Sequence, residues 1–173
     1  GAMCKWHGEG ELVEIKKSKL RGVESYGMIC ASSEIGLFDL FPFTEEATIL
    51  DLSDFDAPAG TPLADALDLH DIILEIDNKS MTNRPDLWGH YGIARDDLPM
   101  NPLPPFDRNV ENAAGLTITV EDSDRCPRMT GTQIEGLSVK PAPYWMQNRI
   151  WKVGMRPINA LVDITNYVML ATG

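Results

Sequence analysis

A nearly continuous apolar run that ends in a proline-containing turn limits the folds open to this chain more than any other feature. Apolar side chains dominate residues 72–76 (Ile-Ile-Leu-Glu-Ile), which predicts a buried central strand. In the turn Asn83-Arg84-Pro85-Asp86, the proline suits the first position of a helix, where its missing N–H costs nothing. Asn83 can cap this helix, and Asp86 lies favourably at its positive end. The pattern predicts a strand, a structural turn and a helix.

Arg84 in this turn has the planar guanidinium that binds phosphate or carboxylate groups. The surrounding residue types are those that any helix-opening turn uses, so the structural interpretation is favoured, with Arg84 paired to Asp77 or Asp86. Glu75 and Asp77 share one face of the predicted strand, but no histidine or third acid follows at a matching interval. The pair is therefore interpreted as solvated or ion-paired.

The remaining elements follow from periodicity and from turn residues. Residues 11–30 predict two short strands around a tight turn, with Tyr26, Met28 and Cys30 alternating in the second strand. A short helix is expected at 63–67, and strands are expected at 116–120 and 129–134.

Two helices are predicted in the last part of the chain. The first begins after Pro141 and Pro143 and ends at Gly154, and the second covers residues 159–170. The first has Trp145, Ile150 and Val153 on or near one face. The packed side of the second is expected to carry Leu161, Val162, Thr165, Val168 and Met169, and its exposed side Asp163, Asn166 and Tyr167.

Composition excludes several classes of protein. The 173 residues carry a formal net charge of -11, which opposes a general affinity for phosphate backbones and, taken alone, argues against an RNA-binding chain. DNA is not expected as a partner either. Three well-separated cysteines do not form a disulfide framework and fit a reducing cytoplasm. The sequence shows no membrane-spanning run and no signal peptide. Cys4 and His7 have a spacing that zinc ligands use, but no second pair of ligands follows, so no metal site is predicted.

Lys16, Lys17, Lys19 and Arg21 form the one concentrated basic patch, with Tyr26 and Trp6 near enough in sequence to stack on a base. By itself such a patch is most often a solvated turn. RNA contact is the alternative interpretation.

Three blocks of sequence, at residues 15–30, 74–95 and 126–168, resemble the beta subunit of bacterial phenylalanine–tRNA ligase in the family's own order. The second block has Asn-Arg-Pro-Asp followed by Gly-Ile-Ala-Arg. The third has Cys-Pro-Arg-Met-Thr-Gly, then Arg-Pro-Ile-Asn and Asp-Ile-Thr-Asn-Tyr-Val. The resemblance implies an internal fragment of a larger subunit, with the family's next motif, which carries the main editing histidine, beyond residue 173.

The implied fold class is mixed α/β (α+β), divided into four parts. Residues 1–33 are the closing strands of an OB-type tRNA-binding insert, 34–98 a small α/β domain, 99–115 a Pro- and Asn-rich linker, and 116–173 the start of an α/β editing domain. The chain departs from the family after Arg95, where the helix normally continues for two or more turns. Either residues are deleted at this point or a stretch is missing from the chain.

The resemblance also implies site residues. Asn166 and Thr165 match the motif whose polar members line a pocket that hydrolyses mischarged tyrosyl-tRNA, and Arg156 and Asn159 are further candidates. A helix cap or a buried polar contact is the competing interpretation. The family often has Asn-Asn where this chain has Asn159-Ala160.

For the whole enzyme, the resemblance implies ATP-dependent attachment of phenylalanine to tRNA(Phe), with Mg²⁺ and an alpha subunit as partner. The fragment itself is expected to bind no cofactor, to contain no catalytic residue of either reaction and to be inactive alone. Two other functions stay open: a stand-alone adaptor that binds a protein partner through its acidic surface and exposed aromatic residues, and a free-standing factor that deacylates mischarged tRNA.

Overall fold

The computed structural model describes residues 2–5, 8–43, 45, 48–97 and 115–173, so that the predicted linker at 99–115 lies outside the described residues except for its last position. The fold is of the mixed α/β class, as predicted. Its strands are β1 (Met3–Lys5), β2 (Leu12–Glu14), β3 (Ser18–Leu20) and β4 (Val23–Ser25). Its α-helices are α1 (Leu63–Ala66), α2 (His90–Asp97), α3 (Tyr144–Lys152) and α4 (Ala160–Thr172), with 3-10 turns at Ser32–Ile35, Lys79–Met81 and Pro85–Leu87.

The strands form two separate antiparallel pairs, β1 with β2 and β3 with β4. Arg21 and Gly22 connect β3 to β4 with positive φ angles of 49° and 87°, the backbone of a tight hairpin turn. The predicted turn is therefore present. The predicted continuation through Tyr26, Met28 and Cys30 is wrong, because β4 ends at Ser25 and no strand in the described part of the chain pairs with residues 26–30.

The central strand predicted at 72–76 is also wrong. No strand is assigned there, and Ile72 and Leu74 are 84% and 80% exposed. The Ile72 N–H donates to the Asp71 carboxylate at 2.8 Å rather than to a neighbouring strand. Within the described residues, no second strand lies alongside this segment, and an apolar run forms a buried strand only where a neighbour satisfies its backbone.

The strands predicted at 116–120 and 129–134 are not formed either. The two segments do approach each other, since the side chains of Leu116 and Ile118 lie against Gly131. Their backbones form no ladder, however. The two segments are therefore in side-chain contact, but the alternation of apolar residues along them does not produce hydrogen-bonded strand pairing.

The first core forms around the predicted short helix at 63–67, which is present as α1. Leu37, Leu40 and Leu67 are buried together, and Leu67 is fully covered. Two residues of α3, Tyr144 and Trp151, pack against this cluster from beyond the predicted linker. The segments on the two sides of that linker thus share a core.

The second core contains Ala142, Met146 and Ile150, and it confirms the predicted helix after the two prolines. Helix α3 ends before Gly154, whose φ of 83° is the left-handed backbone that glycine adopts without strain. Of the residues predicted on or near one face of this helix, Ile150 is fully buried whereas Trp145 is 50% exposed.

Polar side chains of α3 form hydrogen bonds and an ion pair with residues 67–71. The Tyr144 hydroxyl donates to the Leu67 carbonyl at 2.8 Å. The Asn148 amide donates to the same carbonyl at 3.3 Å and to that of Asp68 at 2.9 Å. Lys152 Nζ lies 3.1 Å from a carboxylate oxygen of Asp71.

Helix α4 is present, but its predicted faces are wrong. Asp163, expected in solvent, is 1% exposed, whereas Val168 and Met169, expected to pack, are 52% and 51% exposed. Tyr167 packs against the second core. The Asp163 carboxylate is held inward because its Oδ1 accepts the Ile158 N–H at 2.9 Å, a contact that apolar periodicity does not encode.

None of the helices in the described ranges combines the length and the apolar character that a membrane crossing requires.

Candidate functional site

A bidentate ion pair between Arg84 and Asp86 stabilises the Asn83–Asp86 turn. Arg84 donates through Nε and Nη2 to the two carboxylate oxygens of Asp86 at 2.9 and 2.8 Å, and Arg95 Nη2 reaches Asp86 at 3.2 Å. The hydrogen bond from Arg84 is the main cause that lowers the pKa of the Asp86 carboxyl below its ordinary value. The predicted structural pairing of Arg84 with Asp86 is confirmed.

Pro85 occupies the start of the following 3-10 turn, as predicted, but Arg84 rather than Asn83 is the capping position, and no side chain caps it. The helix predicted directly after the turn begins only at His90. The first turn of α2 lies close to the Asn83–Asp86 turn, because any side-chain carbon at Gly92 would overlap the carbonyl oxygen of Asp86.

The same region brings the turn next to α4. Gly89 lies so close to the backbone of Thr172 and Gly173 that a side chain there would overlap both residues. His90 Nδ1 donates to the carbonyl of Leu170 at 2.7 Å. Two motifs that are about 80 positions apart in sequence, the turn and the Thr-Asn-Tyr helix, are therefore neighbours in the fold.

The four editing-pocket candidates lie in or just before α4, in different environments. The Asn159 carboxamide oxygen accepts the N–H groups of Leu161 and Val162 at 3.1 Å each, which makes it the helix cap. The Thr165 hydroxyl donates to the Val162 carbonyl at 2.7 Å. Both side chains are thus engaged by their own helix.

Asn166 and Arg156 differ from those two residues. Asn166 is half-buried, and within the described ranges its carboxamide has no hydrogen-bond partner. Arg156 is exposed in the loop before the helix. Within the described ranges, Asn166 and Arg156 are therefore the two candidates whose side-chain polar groups form no hydrogen bond.

A pocket of about 410 Å³ opens where α2, α3 and α4 meet beside residues 71–73. Arg149 lies on its wall, donates to the Tyr167 hydroxyl at 2.7 Å and stacks over the Trp145 ring at 5.4 Å. Sequence reasoning missed Arg149. The signal was the helical spacing of Trp145 and Arg149, four residues apart, which places a cation over an aromatic face.

The basic patch lies on and before the β3–β4 hairpin, and acids neutralise half of it. Lys16 pairs with Glu14 at 3.0 Å and Lys17 with Glu24 at 2.9 Å. The hydrogen bond with Glu24 is the main cause that raises the pKa of Lys17, and the same bond lowers the pKa of Glu24.

Tyr26 lies in the same cluster as these pairs. The Lys17 ammonium lies 4.7 Å from the centre of the Tyr26 ring. The predicted stacking partner Trp6 lies outside the described residues.

The other two basic residues of the patch are at the hairpin itself. Lys19 and Arg21 are exposed, and Lys19 faces Glu24 across the hairpin register. Over the part of the chain that the structure describes, no three His, Cys, Asp or Glu side chains converge to hold a metal ion.

Comparison with known proteins adds two findings. The B3/4 domain family model matches residues 125–173, which contain α3 and α4. Curated relatives named phenylalanine–tRNA ligase beta subunit match almost the whole chain: 43% identity over 175 residues in Bacteroides fragilis, and 38% over 163 residues in Fusobacterium nucleatum. These alignments cover 94% and 90% of the chain but 20% and 19% of the relatives, so the chain spans about a fifth of their length.

Proposed function

This chain is a relative of phenylalanine–tRNA ligase beta subunits, and from that premise we propose that it is a segment of such a subunit. The parent protein then attaches phenylalanine to tRNA(Phe) in the cytoplasm with ATP and Mg²⁺, in complex with an alpha subunit. The observation that carries the proposal is identity of 38% to 43% over at least 90% of the chain. The four-part division at residues 33, 98 and 115 is part of the same proposal.

The segment's own contribution is proofreading and tRNA contact. Support for proofreading comes from the B3/4 match, which covers α4 and its half-buried Asn166. A pocket that hydrogen-bonds a substrate hydroxyl discriminates strongly against a substrate that lacks it, because its own polar group is otherwise left unpaired. The Asn166 carboxamide can serve this purpose for the tyrosine hydroxyl, whereas Asn159 and Thr165 are engaged by helix α4.

Support for tRNA contact comes from the hairpin tip. Lys19 and Arg21 are exposed there, whereas Lys16 and Lys17 are neutralised by neighbouring acids. Contacts to phosphate need cations that are not already paired. Within the basic patch, Lys19 and Arg21 are therefore the residues proposed to contact RNA.

The experiment uses the full-length beta subunit assembled with its alpha subunit and carrying Asn166→Ala. Hydrolysis of tyrosyl-tRNA(Phe) is expected to fall by about 10-fold or more, since one lost hydrogen bond to a substrate group costs about 1.4 kcal/mol or more. Attachment of phenylalanine is expected to stay unchanged. Asn78→Ala, which removes an asparagine whose oxygen accepts the Ser80 N–H and which lies outside α4, is the matched control.

Equal hydrolysis by the Asn166→Ala and Asn78→Ala enzymes would refute the role of Asn166. Loss of both hydrolysis and phenylalanine attachment would instead show that Asn166 is needed for the fold of the subunit. The comparison of the two activities separates these results.

One observation favours a second candidate, a protein-interaction module. Ile72, Ile73, Leu74 and Ile76 form a continuous exposed apolar segment, between 50% and 84% exposed. Large exposed apolar surfaces are typical of protein-binding sites. An adaptor of this kind would show neither phenylalanine attachment nor hydrolysis of tyrosyl-tRNA, whereas a free-standing editing factor would show hydrolysis without ATP–pyrophosphate exchange.

A further inference from the structure

A second pocket, of about 630 Å³, lies between α3, the loop before α4 and residues of the segments 39–43 and 48–55. We refer to it as the acidic aromatic pocket. It is separate from the α2–α3–α4 pocket, and no predicted site residue lines it. Its wall combines two kinds of side chain, carboxylates and aromatic rings.

Four aspartates supply the charge: Asp39, Asp51 and Asp54 at the exposed rim, and Asp163 in the wall. Among the described lining residues there is no lysine, arginine or histidine. The backbone N–H of Ser53 donates to Asp51 at 2.9 Å and is the main cause that lowers the pKa of this carboxyl, which keeps it ionised at neutral pH. The pocket therefore carries uncompensated negative charge.

Asp163 is the independent sign of a ligand. It is 1% exposed, and although Oδ1 accepts the Ile158 N–H, Oδ2 has no hydrogen-bond partner in the described part of the chain. The N-terminal end of α4 offsets only a fraction of a charge. Burying a carboxylate oxygen without a donor or a counter-charge is costly, so a cation in the adjoining pocket would relieve that cost.

The aromatic wall decides which kind of cation fits. The Phe41 ring stacks on Tyr144 with centroids 5.9 Å apart, and Phe55 meets Tyr144 edge to face at 4.8 Å. Ring faces attract ammonium and guanidinium groups but supply no ligand to a bare metal ion. A volume of about 630 Å³ also matches an organic molecule rather than a single ion.

We propose that the acidic aromatic pocket binds an organic cation, an alkylammonium or guanidinium group, with Asp163 as its counter-charge and the Phe41, Phe55 and Tyr144 rings as its walls. The group comes either from a free small amine or from a lysine or arginine side chain of a polypeptide. This proposal does not depend on the ligase function.

The experiment measures binding to the 173-residue chain by NMR shifts of its aromatic side chains at constant ionic strength. The probes are n-butylammonium, methylguanidinium, and sodium butyrate as the matched anion. Saturable shifts of the Phe41, Phe55 and Tyr144 signals are expected with the two cations and not with butyrate. A short lysine-containing peptide that binds more tightly than butylammonium would identify a polypeptide as the source, and equal affinity would identify a small amine.

Three variants test the residues. Asp163→Asn is expected to weaken binding by about 10-fold or more, as loss of a charged partner does, and Phe55→Leu by about 2- to 5-fold through loss of a ring face. The control is Asp65→Asn, which removes an exposed carboxylate that pairs with His70 at 2.9 Å outside the pocket. It is expected to leave binding unchanged.

Binding that is equal for butyrate and butylammonium, or that Asp65→Asn weakens as much as Asp163→Asn does, would overturn the proposal. If Asp163→Asn does not fold, Asp51→Asn and Phe55→Leu decide the question. Unchanged affinity in both of those variants would also overturn it.

Discussion

The link between α3 and residues 67–68 makes a quantitative prediction, because two side chains share one acceptor. The Tyr144 hydroxyl and the Asn148 amide both donate to the Leu67 carbonyl, at 2.8 and 3.3 Å. Leu67 is fully buried and Asn148 is 3% exposed. Among the described residues, removing either donor leaves that carbonyl with one partner, whereas removing both leaves it with none.

The magnitudes follow from this geometry. Tyr144→Phe is expected to lower the free energy of unfolding by about 0.5–1.5 kcal/mol, the net worth of one hydrogen bond. Asn148→Ala also deprives the Asp68 carbonyl of its 2.9 Å donor, and is expected to cost about 1–3 kcal/mol. Asn148→Ala also removes the buried Oδ1 atom, which has no partner in the described ranges, and this reduces the net loss of unfolding free energy.

The double variant is the decisive measurement. It leaves the Leu67 carbonyl buried and unpaired, so its cost is expected to exceed the sum of the two single costs by about 0.5–3 kcal/mol. Urea denaturation followed by Trp fluorescence measures all four proteins. Gln147→Ala, whose amide donates within its own segment to Ala142 at 2.6 Å, is the matched control for α3 and is expected to add independently to Tyr144→Phe.

Additive costs within about 0.3 kcal/mol would refute the shared acceptor, since additivity is the behaviour of independent sites. A surplus equally large with Gln147→Ala would point to a general weakening of α3 instead.

Three further predictions concern the core and the turn. Ile150→Ala is expected to lower the free energy of unfolding by about 2–5 kcal/mol, because the side chain is fully buried; equilibrium urea denaturation measures it. Gly92→Ala is expected to destabilise the chain by about 1–3 kcal/mol or more through overlap with the Asp86 carbonyl, with a matching loss of helical circular dichroism. Because the pKa of Asp86 is lowered in the folded chain, its ion pair stabilises the fold at pH values above the unfolded-state pKa. This stabilisation is lost as the pH falls through the folded-state pKa. In Arg84→Gln, carbon NMR should show the Asp86 carboxyl titrating at a higher pH.

Helix ends, a tight turn and an ion pair between close neighbours in sequence were predicted correctly. Pro85 at a helical start, Gly154 at a helix end and the Arg21–Gly22 turn each depend on backbone properties of one or two residues. The pairing of Arg84 with Asp86 is similarly local. Such features need no information about the rest of the molecule.

Features that depend on distant partners could not be predicted in this way. The strand at 72–76 needed a neighbouring strand, and in the described residues none lies beside it. In α4, Asp163 is buried and accepts the Ile158 N–H, whereas Val168 and Met169 are exposed, an arrangement that the apolar pattern of the helix does not encode. The acidic aromatic pocket was missed for the same reason, since its rim and its buried aspartate are more than 100 positions apart.

The residues of the candidate site also divide into those that a sequence motif indicates and those that only contacts in the fold reveal. Asn166 and Thr165 were predicted as site residues through a family motif, and the structure adds that Asn159 and Thr165 are engaged by their own helix. Arg149 was not among the predicted site residues, and its position on the pocket wall became visible only through its contacts with Tyr167 and Trp145.

The central claim is that this chain is a segment of a phenylalanine–tRNA ligase beta subunit. The most direct test is to assemble the parent polypeptide with an alpha subunit and to measure ATP-dependent formation of phenylalanyl-tRNA(Phe). We predict phenylalanine attachment that requires both subunits and Mg²⁺. A parent polypeptide that associates with no alpha subunit and supports no attachment under these conditions would contradict the account.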